Sequence, residues 1–225
     1  MPGAGAPAGA PAPGIPASPA ACTLGAVSRT RQIVGRSFLA GYTGVTRVQR
    51  KAFSLLASGG FASFGAHSVI SPPIRLDRAD RIAVGAGVFI ARGCWLHAEG
   101  DEQTVAIEIG DGTSIGAYST LSATHSLRLG RNVLTAPGIY ISDHSHEFGD
   151  PLRAVSAQGL TPAAAVEIGE GTWLGEGVVV CPGVRIGRFA VIGANSVVNT
   201  DIPDGGVAVG APARVVRVRT GAPVA

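Results

Sequence analysis

No uninterrupted apolar run in this 225-residue chain approaches the ~18 residues that a membrane-spanning helix requires, although 46% of its residues are hydrophobic. Cysteine is sparse: Cys22, Cys94 and Cys181 are odd in number, widely spaced and free of any CxxC pairing. That excludes a disulfide framework and a zinc knuckle and points to a reducing cytoplasm, with Cys94 and Cys181 as small packing residues. Net charge is only +3, and the few aromatic residues (5%) are not interleaved with basic ones, which argues against a nucleic-acid partner. Residues 1–21 form a Pro/Ala/Gly tract, without the apolar centre of a secretory signal and without the apolar segment a lipoprotein would show before Cys22. Such a tract buries no core and is expected to be a disordered tail; an acid-free, Arg-containing start also fits a transit peptide.

Acidic residues are missing from Thr23 to Leu56, where Arg29, Arg31, Arg36, Arg47, Arg50 and Lys51 stand. Val45, Val48, Phe53 and Leu56 recur at imperfect helical spacing, which predicts one or two amphipathic helices within residues 22–66. A solenoid end needs a cap for solubility, and that is the reading adopted for these residues. The alternative is peripheral contact of a basic amphipathic helix with an anionic membrane surface.

What the chain does have is a six-residue beat. It runs Ile168-Gly169, Leu174-Gly175, Val180-Cys181, Ile186-Gly187, Ile192-Gly193 and Val198-Asn199, with Thr172, Val178, Val184, Ala190 and Ser196 between. The same phase occurs earlier at Val84, Ile90 and Leu96, at Ile109, Ile115 and Leu121, and at Leu129, Thr135 and Ile141. Thr135 is its one polar lapse. A fixed hexapeptide period marks a β-helix: three repeats close a triangular coil whose aliphatic residues stack into interior ladders. Gly after the aliphatic residue is expected where a corner needs backbone conformations that a Cβ disfavours. The predicted fold class is therefore an all-β solenoid over residues 67–220, preceded by a short helical extension.

The beat disappears over residues 142–166, and a long excursion from a regular solenoid is expected to be functional. It opens Ser142-Asp143-His144-Ser145-His146-Glu147 and holds two of the five histidines in the chain. Imidazole removes protons near neutral pH, and a neighbouring carboxylate can hold its tautomer.

Leu134 to His146 (LTAPGIYISDHSH), Trp173-Leu174-Gly175, Gly193 to Val198 and Val209 to Arg214 (VGAPAR) together resemble the hexapeptide-repeat acyltransferases. The likeness is to the maltose, galactoside and colanic-acid type O-acetyltransferases and covers about Val84 to Arg217. It implies a left-handed parallel β-helix, a hand that parallel crossovers in general would not give. It also implies a homotrimer, acetyl-CoA along a groove between neighbouring coils, and no metal. The residue matching the family's loop histidine is His146, with His144 two residues away as the other candidate and Asp143 orienting the pair. Trp173 matches a wall of the acetyl-transfer end. Gly175, Ala194 and Asn199 match positions along the pantetheine arm, and Arg214 and Arg217 match basic positions near the nucleotide. Thr200 is placed with these cofactor-binding residues, at a position where many relatives carry a phosphate-contacting Lys, and sugar-acetylating relatives often carry an acceptor-pocket Asn near Gly116. Acceptor contacts are therefore assigned to Gly116, Tyr118 and Trp173, with Ser119 and Thr124 nearby. The implied reaction is direct acyl transfer to a hydroxyl of a sugar, glycoconjugate or secondary metabolite. Two other classes share the scaffold: a non-catalytic solenoid, and a γ-type carbonic anhydrase, for which His125, His144 and His146 would have to converge on zinc.

Overall fold

The structure, a computed structural model, describes residues 27–100 and 103–219. The Pro/Ala/Gly tract lies outside the described residues. A single helix, α1, occupies Arg29–Ala57, and its first turns belong to one compact unit (Met1–Thr43), its last to a second (Gly44–Ala225). No helix among the described residues is long and apolar enough to cross a membrane.

Within the second unit, three parallel sheets of short strands form the faces of a prism, here sheets A, B and C in the order the chain visits them. Their inner positions carry the hexapeptide beat as cross-coil ladders. Sheet A stacks Phe64, Val84, Ile109, Leu129, Ile168 and Ile186. Sheet B stacks Ile70, Ile90 and Ile115, then Thr135, Leu174, Ile192 and Ala208. Sheet C stacks Leu76, Leu96, Leu121, Ile141, Val180 and Val198. Nearly all of these are buried, and each fully buried Val, Leu or Ile contributes about 1.5–3 kcal/mol of transfer free energy before chain entropy is subtracted. The polar lapse in the beat has a reason: buried Thr135 accepts a 2.9 Å hydrogen bond at Oγ1 from the backbone N–H of Gly116 one coil away. Thr113 and Thr172 bridge coils in the same manner, donating to the carbonyls of Gly130 and Gly187 at 2.8 Å.

The corner glycines correct the expectation about conformation. Gly169, directly after the aliphatic residue, is not in the left-handed region; the positive φ comes two residues later, at Gly171 (φ 67°). Gly169 is required because a Cβ there would lie 2.5 Å from the backbone nitrogen of Arg188 on the next coil. Close coil stacking, rather than backbone freedom, selects Gly at that position.

One end of the prism is closed by the last turns of α1. Phe53 and Ala57 pack on the core, and the Ser54 hydroxyl accepts from the Ile70 N–H at 2.8 Å. The predicted stripe does not do this packing: Val45, Val48 and Leu56 are exposed, and only Phe53 of the four meets the core. At the other end the chain doubles back, Arg214–Val218 running antiparallel to Gly206–Val209. The outer surfaces differ by face. Sheet A carries an alternating charge ladder, with Glu108 to Arg128 at 3.2 Å and Glu167 to Arg185 at 3.4 Å. Sheets B and C instead expose Leu134 and Trp173, and Tyr140.

Candidate active site

Two excursions interrupt the coils, and both leave from the corner where sheet C hands over to sheet A. One separates the sheet C strand Trp95–Ala98 from the sheet A strand Ile107–Ile109; the other separates Tyr140–Ser142 from Val166–Ile168. Sheet A is not broken by either, since Ile109, Leu129 and Ile168 remain in register. The inserted segments therefore project from one edge of an intact prism, beside each other.

Arg81 organises this edge. Fully buried, its guanidinium donates to the carbonyls of Glu99, Thr104 (2.9 Å) and Thr124 (3.1 Å), binding the first excursion to the corner below it. Asp143, also fully buried, is the anchor of the second excursion. Its Oδ1 accepts from the Thr124 N–H at 2.9 Å and from His144 Nδ1–H at 2.8 Å; its Oδ2 accepts from the His125 and Ser126 N–H groups, each at 2.8 Å. Burial pushes this carboxyl up, but the hydrogen bonds from His144 and the three amides outweigh it and hold the group below the ordinary aspartate range. A carboxylate only accepts, so His144 carries its proton on Nδ1.

The network extends further. His144 Nε2 lies 3.8 Å from Glu99 Oε2, and the same oxygen lies 3.5 Å from His97 Nε2. His97 Nδ1 in turn meets Asp77 Oδ2 at 3.0 Å, where the Trp95 indole N–H also donates at 2.6 Å. The indole hydrogen bond, helped by His97 and Arg75 against the opposing effect of burial, keeps the Asp77 carboxyl below its ordinary value. Asp77, Trp95, His97, Glu99 and Arg81 were not singled out from the sequence. They lie on successive coils, Asp77 pairing across to His97; the aliphatic phase is kept at Leu96, and only the excursion after it, which lengthens the step from Leu96 to Leu121, could have drawn attention to the edge.

Beyond His144 the excursion is a small hairpin. Ser145 and Thr161 exchange two bonds, Thr161 N–H to the Ser145 carbonyl at 2.8 Å and Ser145 N–H to Thr161 Oγ1 at 3.0 Å. His146 pairs antiparallel with Leu160, and the Gln158 amide closes the tip through Asp150 and Arg153. His146 is exposed, and its imidazole makes no hydrogen bond among the described residues. His144 is buried, and both of its ring nitrogens face carboxylates.

The remaining sequence-derived residues are spread over the prism. Asn199 and Thr200 follow the sheet C strand Val197–Val198 and share the edge with the histidines, two coils further along. Trp173 stands half-exposed on sheet B in a transverse row with Leu134, Val191, Val207 and Arg217. Arg214 lies on the same sheet, its guanidinium donating to the Ala213 carbonyl at 2.8 Å. Gly175 and Ala194 stack at the corner between sheets B and C, where a Cβ on Gly175 would lie 2.6 Å from the Ala194 nitrogen. Gly116 occupies an equivalent corner and has no room for a side chain, since a Cβ would fall 2.3 Å from the Ala136 backbone. Tyr118, at φ 58°, is exposed beside it, whereas Ser119 is buried and donates to the Gly116 carbonyl at 2.7 Å. The single chain thus brings His144, His146, Asn199 and Thr200 to one edge and leaves Trp173, Arg214 and Arg217 on another face. Among the described residues no three His, Cys, Asp or Glu side chains are placed to share a metal ion.

Residues 165–200 match the family model described as bacterial transferase hexapeptide (six repeats). The chain is 33% identical over 156 residues to the galactoside O-acetyltransferase of Lactococcus lactis, covering 68% of this chain and 72% of that protein. It is 36% identical over 132 residues to the probable acetyltransferase Rv3034c of Mycobacterium tuberculosis, 56% of this chain. It is also 36% identical over 116 residues, 48% of this chain, to the putative lipopolysaccharide biosynthesis O-acetyl transferase WbbJ of Escherichia coli. The matches span 43% of the length of Rv3034c and 58% of WbbJ. Among solved structures, a maltose O-acetyltransferase from Clostridium difficile superposes with a TM-score of 0.50 at 29% identity, covering 71% of each chain. The chain belongs to the hexapeptide-repeat acyltransferases, and its prism is their left-handed parallel β-helix.

Proposed function

We propose that this protein is an acetyl-CoA-dependent O-acetyltransferase of small-molecule or glycan hydroxyls, with His146 as the general base. The observation that carries the reading is the exposed, unengaged imidazole of His146 on a hairpin anchored by the buried Asp143–His144 pair. A base needs a lone pair within reach of the reacting oxygen. His144, whose Nδ1–H is held by Asp143 and whose Nε2 lies 3.8 Å from Glu99, beyond hydrogen-bond reach, is the second candidate and the less accessible of the two because it is buried. In the proposed reaction His146 takes the proton of the acceptor hydroxyl as its oxygen attacks the thioester carbonyl. The tetrahedral oxyanion is held by backbone N–H groups, and CoA departs as the thiol with no acyl-enzyme formed.

The proposed assembly is a homotrimer. A charged ladder on sheet A suits water, while the apolar outer residues of sheets B and C suit burial against two neighbours. A ring that sets sheet B of one subunit beside the edge of the next would unite Trp173, Arg214 and Arg217 with a neighbour's His146. The proposed location is the cytoplasm, where acetyl-CoA is available. The test is acetyl transfer by the full chain across a panel of sugars and glycosides. His146→Ala should lower turnover by about 10²–10⁴-fold with acetyl-CoA binding retained; near-parental turnover would remove His146 from the role.

A further inference from the structure

The helix α1 is left without a role by the chemistry above, and its surface is divided lengthwise. In the first unit Val34 and Phe38, four residues apart, share one side of the helix; in the second Val45 and Leu56, eleven apart and close to three whole turns, share one side of its own part. All four are exposed, Phe38 at 72% and Leu56 at 84%. In the second unit, Phe53, Ser54 and Ala57 hold the last turns against the first coil, so the stripe there turns away from the prism. Arg29 and Arg36 in the first unit, and Arg47 and Lys51 in the second, stand on the side opposite the apolar residues of their own part, while Arg31, seven residues before Phe38, stands with them; the helix contains no acidic residue. A Cβ added at Gly35, Gly41 or Gly44 would meet nothing within 4 Å, so no close packing requires these glycines, and they weaken the helix in water.

Charge chooses among the surfaces that could cover such a stripe. A second copy of the helix brings the same cations and no anion to pair them. A nucleic acid would match the charge but leave the apolar side in water. An anionic bilayer surface answers both sides at once: acyl chains for the stripe, headgroups for the arginines. Basic residues recurring along the whole helix, with no apolar span long enough to cross, set it in the interface plane rather than through the membrane. We propose that α1 docks the protein on an anionic lipid surface. This is independent of the acetyl-transfer reading.

The test is co-sedimentation of the full chain with vesicles of phosphatidylcholine alone and of phosphatidylcholine with about one third phosphatidylglycerol, at low and high salt. The bound fraction should be substantial only with phosphatidylglycerol, fall with salt, and be accompanied by a gain in far-UV helicity. Arg36→Gln with Arg47→Gln should weaken binding about five-fold per arginine removed. Phe38→Ser with Val45→Ser should abolish most of it with charge unchanged, and these exposed sites leave the β-helix melting transition where it was. Equal sedimentation with both vesicles, or with neither, overturns the proposal. A drop in the mass of the free protein on Phe38→Ser with Val45→Ser, without vesicle binding by the parent, also overturns it and makes the stripe an interface between copies.

Discussion

Asp143→Asn is the substitution on which the anchoring argument can be tried most directly. Both carboxylate oxygens accept several hydrogen bonds, Oδ1 from Thr124 N–H, His144 Nδ1–H and, at 3.4 Å, the Thr124 hydroxyl, Oδ2 from the N–H groups of His125 and Ser126. An amide presents one oxygen and one NH₂. Turned with its oxygen to His125 and Ser126, the amide leaves the buried Thr124 N–H facing a donor, His144 having to move its proton to Nε2 to accept. Turned the other way, it leaves both the His125 and Ser126 N–H groups facing a donor; in either case the remaining bonds lose the acceptor's charge. With hydrogen bonds to a charged acceptor worth about 1.5–3 kcal/mol each, the loss should be about 3–5 kcal/mol. For a domain of this size that is a fall in melting temperature of about 6–20 °C. The pH dependence follows from the lowered native pKa. The carboxylate's contribution is complete above the unfolded carboxyl's pKa, about 3.9, and is lost as pH falls through the lower folded value. Thermal melts of parent and variant should therefore differ by a constant amount from about pH 5 to 8 and converge in acid. A variant melting within about 1 °C of the parent at neutral pH would refute the anchoring role.

Gly116→Ala drives a Cβ to 2.3 Å from the Ala136 backbone and should cost at least about 2 kcal/mol in urea unfolding; a variant as stable as the parent would show the coils to be less tightly stacked than this. Thr135→Val restores the aliphatic beat yet leaves the Gly116 N–H without its 2.9 Å acceptor, so it should destabilise by about 1–2 kcal/mol; a stabilised variant would show the lapse to be accidental.

The ladders were legible because their signal is periodic. Every aliphatic residue in the beat from Val84 to Val198 lies on an inner row, since only that phase fills the prism. The left hand was not legible from period or composition; it came with the resemblance and belongs to the family. The excursion after Ile141 was visible as silence in the beat, but its neighbour after Ala98 is shorter, and with it Glu99, His97 and Asp77 went unmarked. Arg81 was beyond reach for a different reason. Its partners are backbone carbonyls, which leave no residue-type pattern in a sequence. The corner glycines were found for the wrong cause, because crowding between coils and a left-handed φ both select Gly.

The hairpin that carries His146 lies in the stretch of chain between Leu129 and Ile168, which pair in sheet A one coil apart as if nothing were inserted. Its presence about doubles the chain between those partners, and closing a loop twice as long costs only ~0.6 kcal/mol more. A rod built this way can accept, lengthen or exchange an inserted segment at one edge with little penalty to the scaffold. New acceptor preferences can then arise by transplanting that segment, leaving the stack of coils and its register untouched.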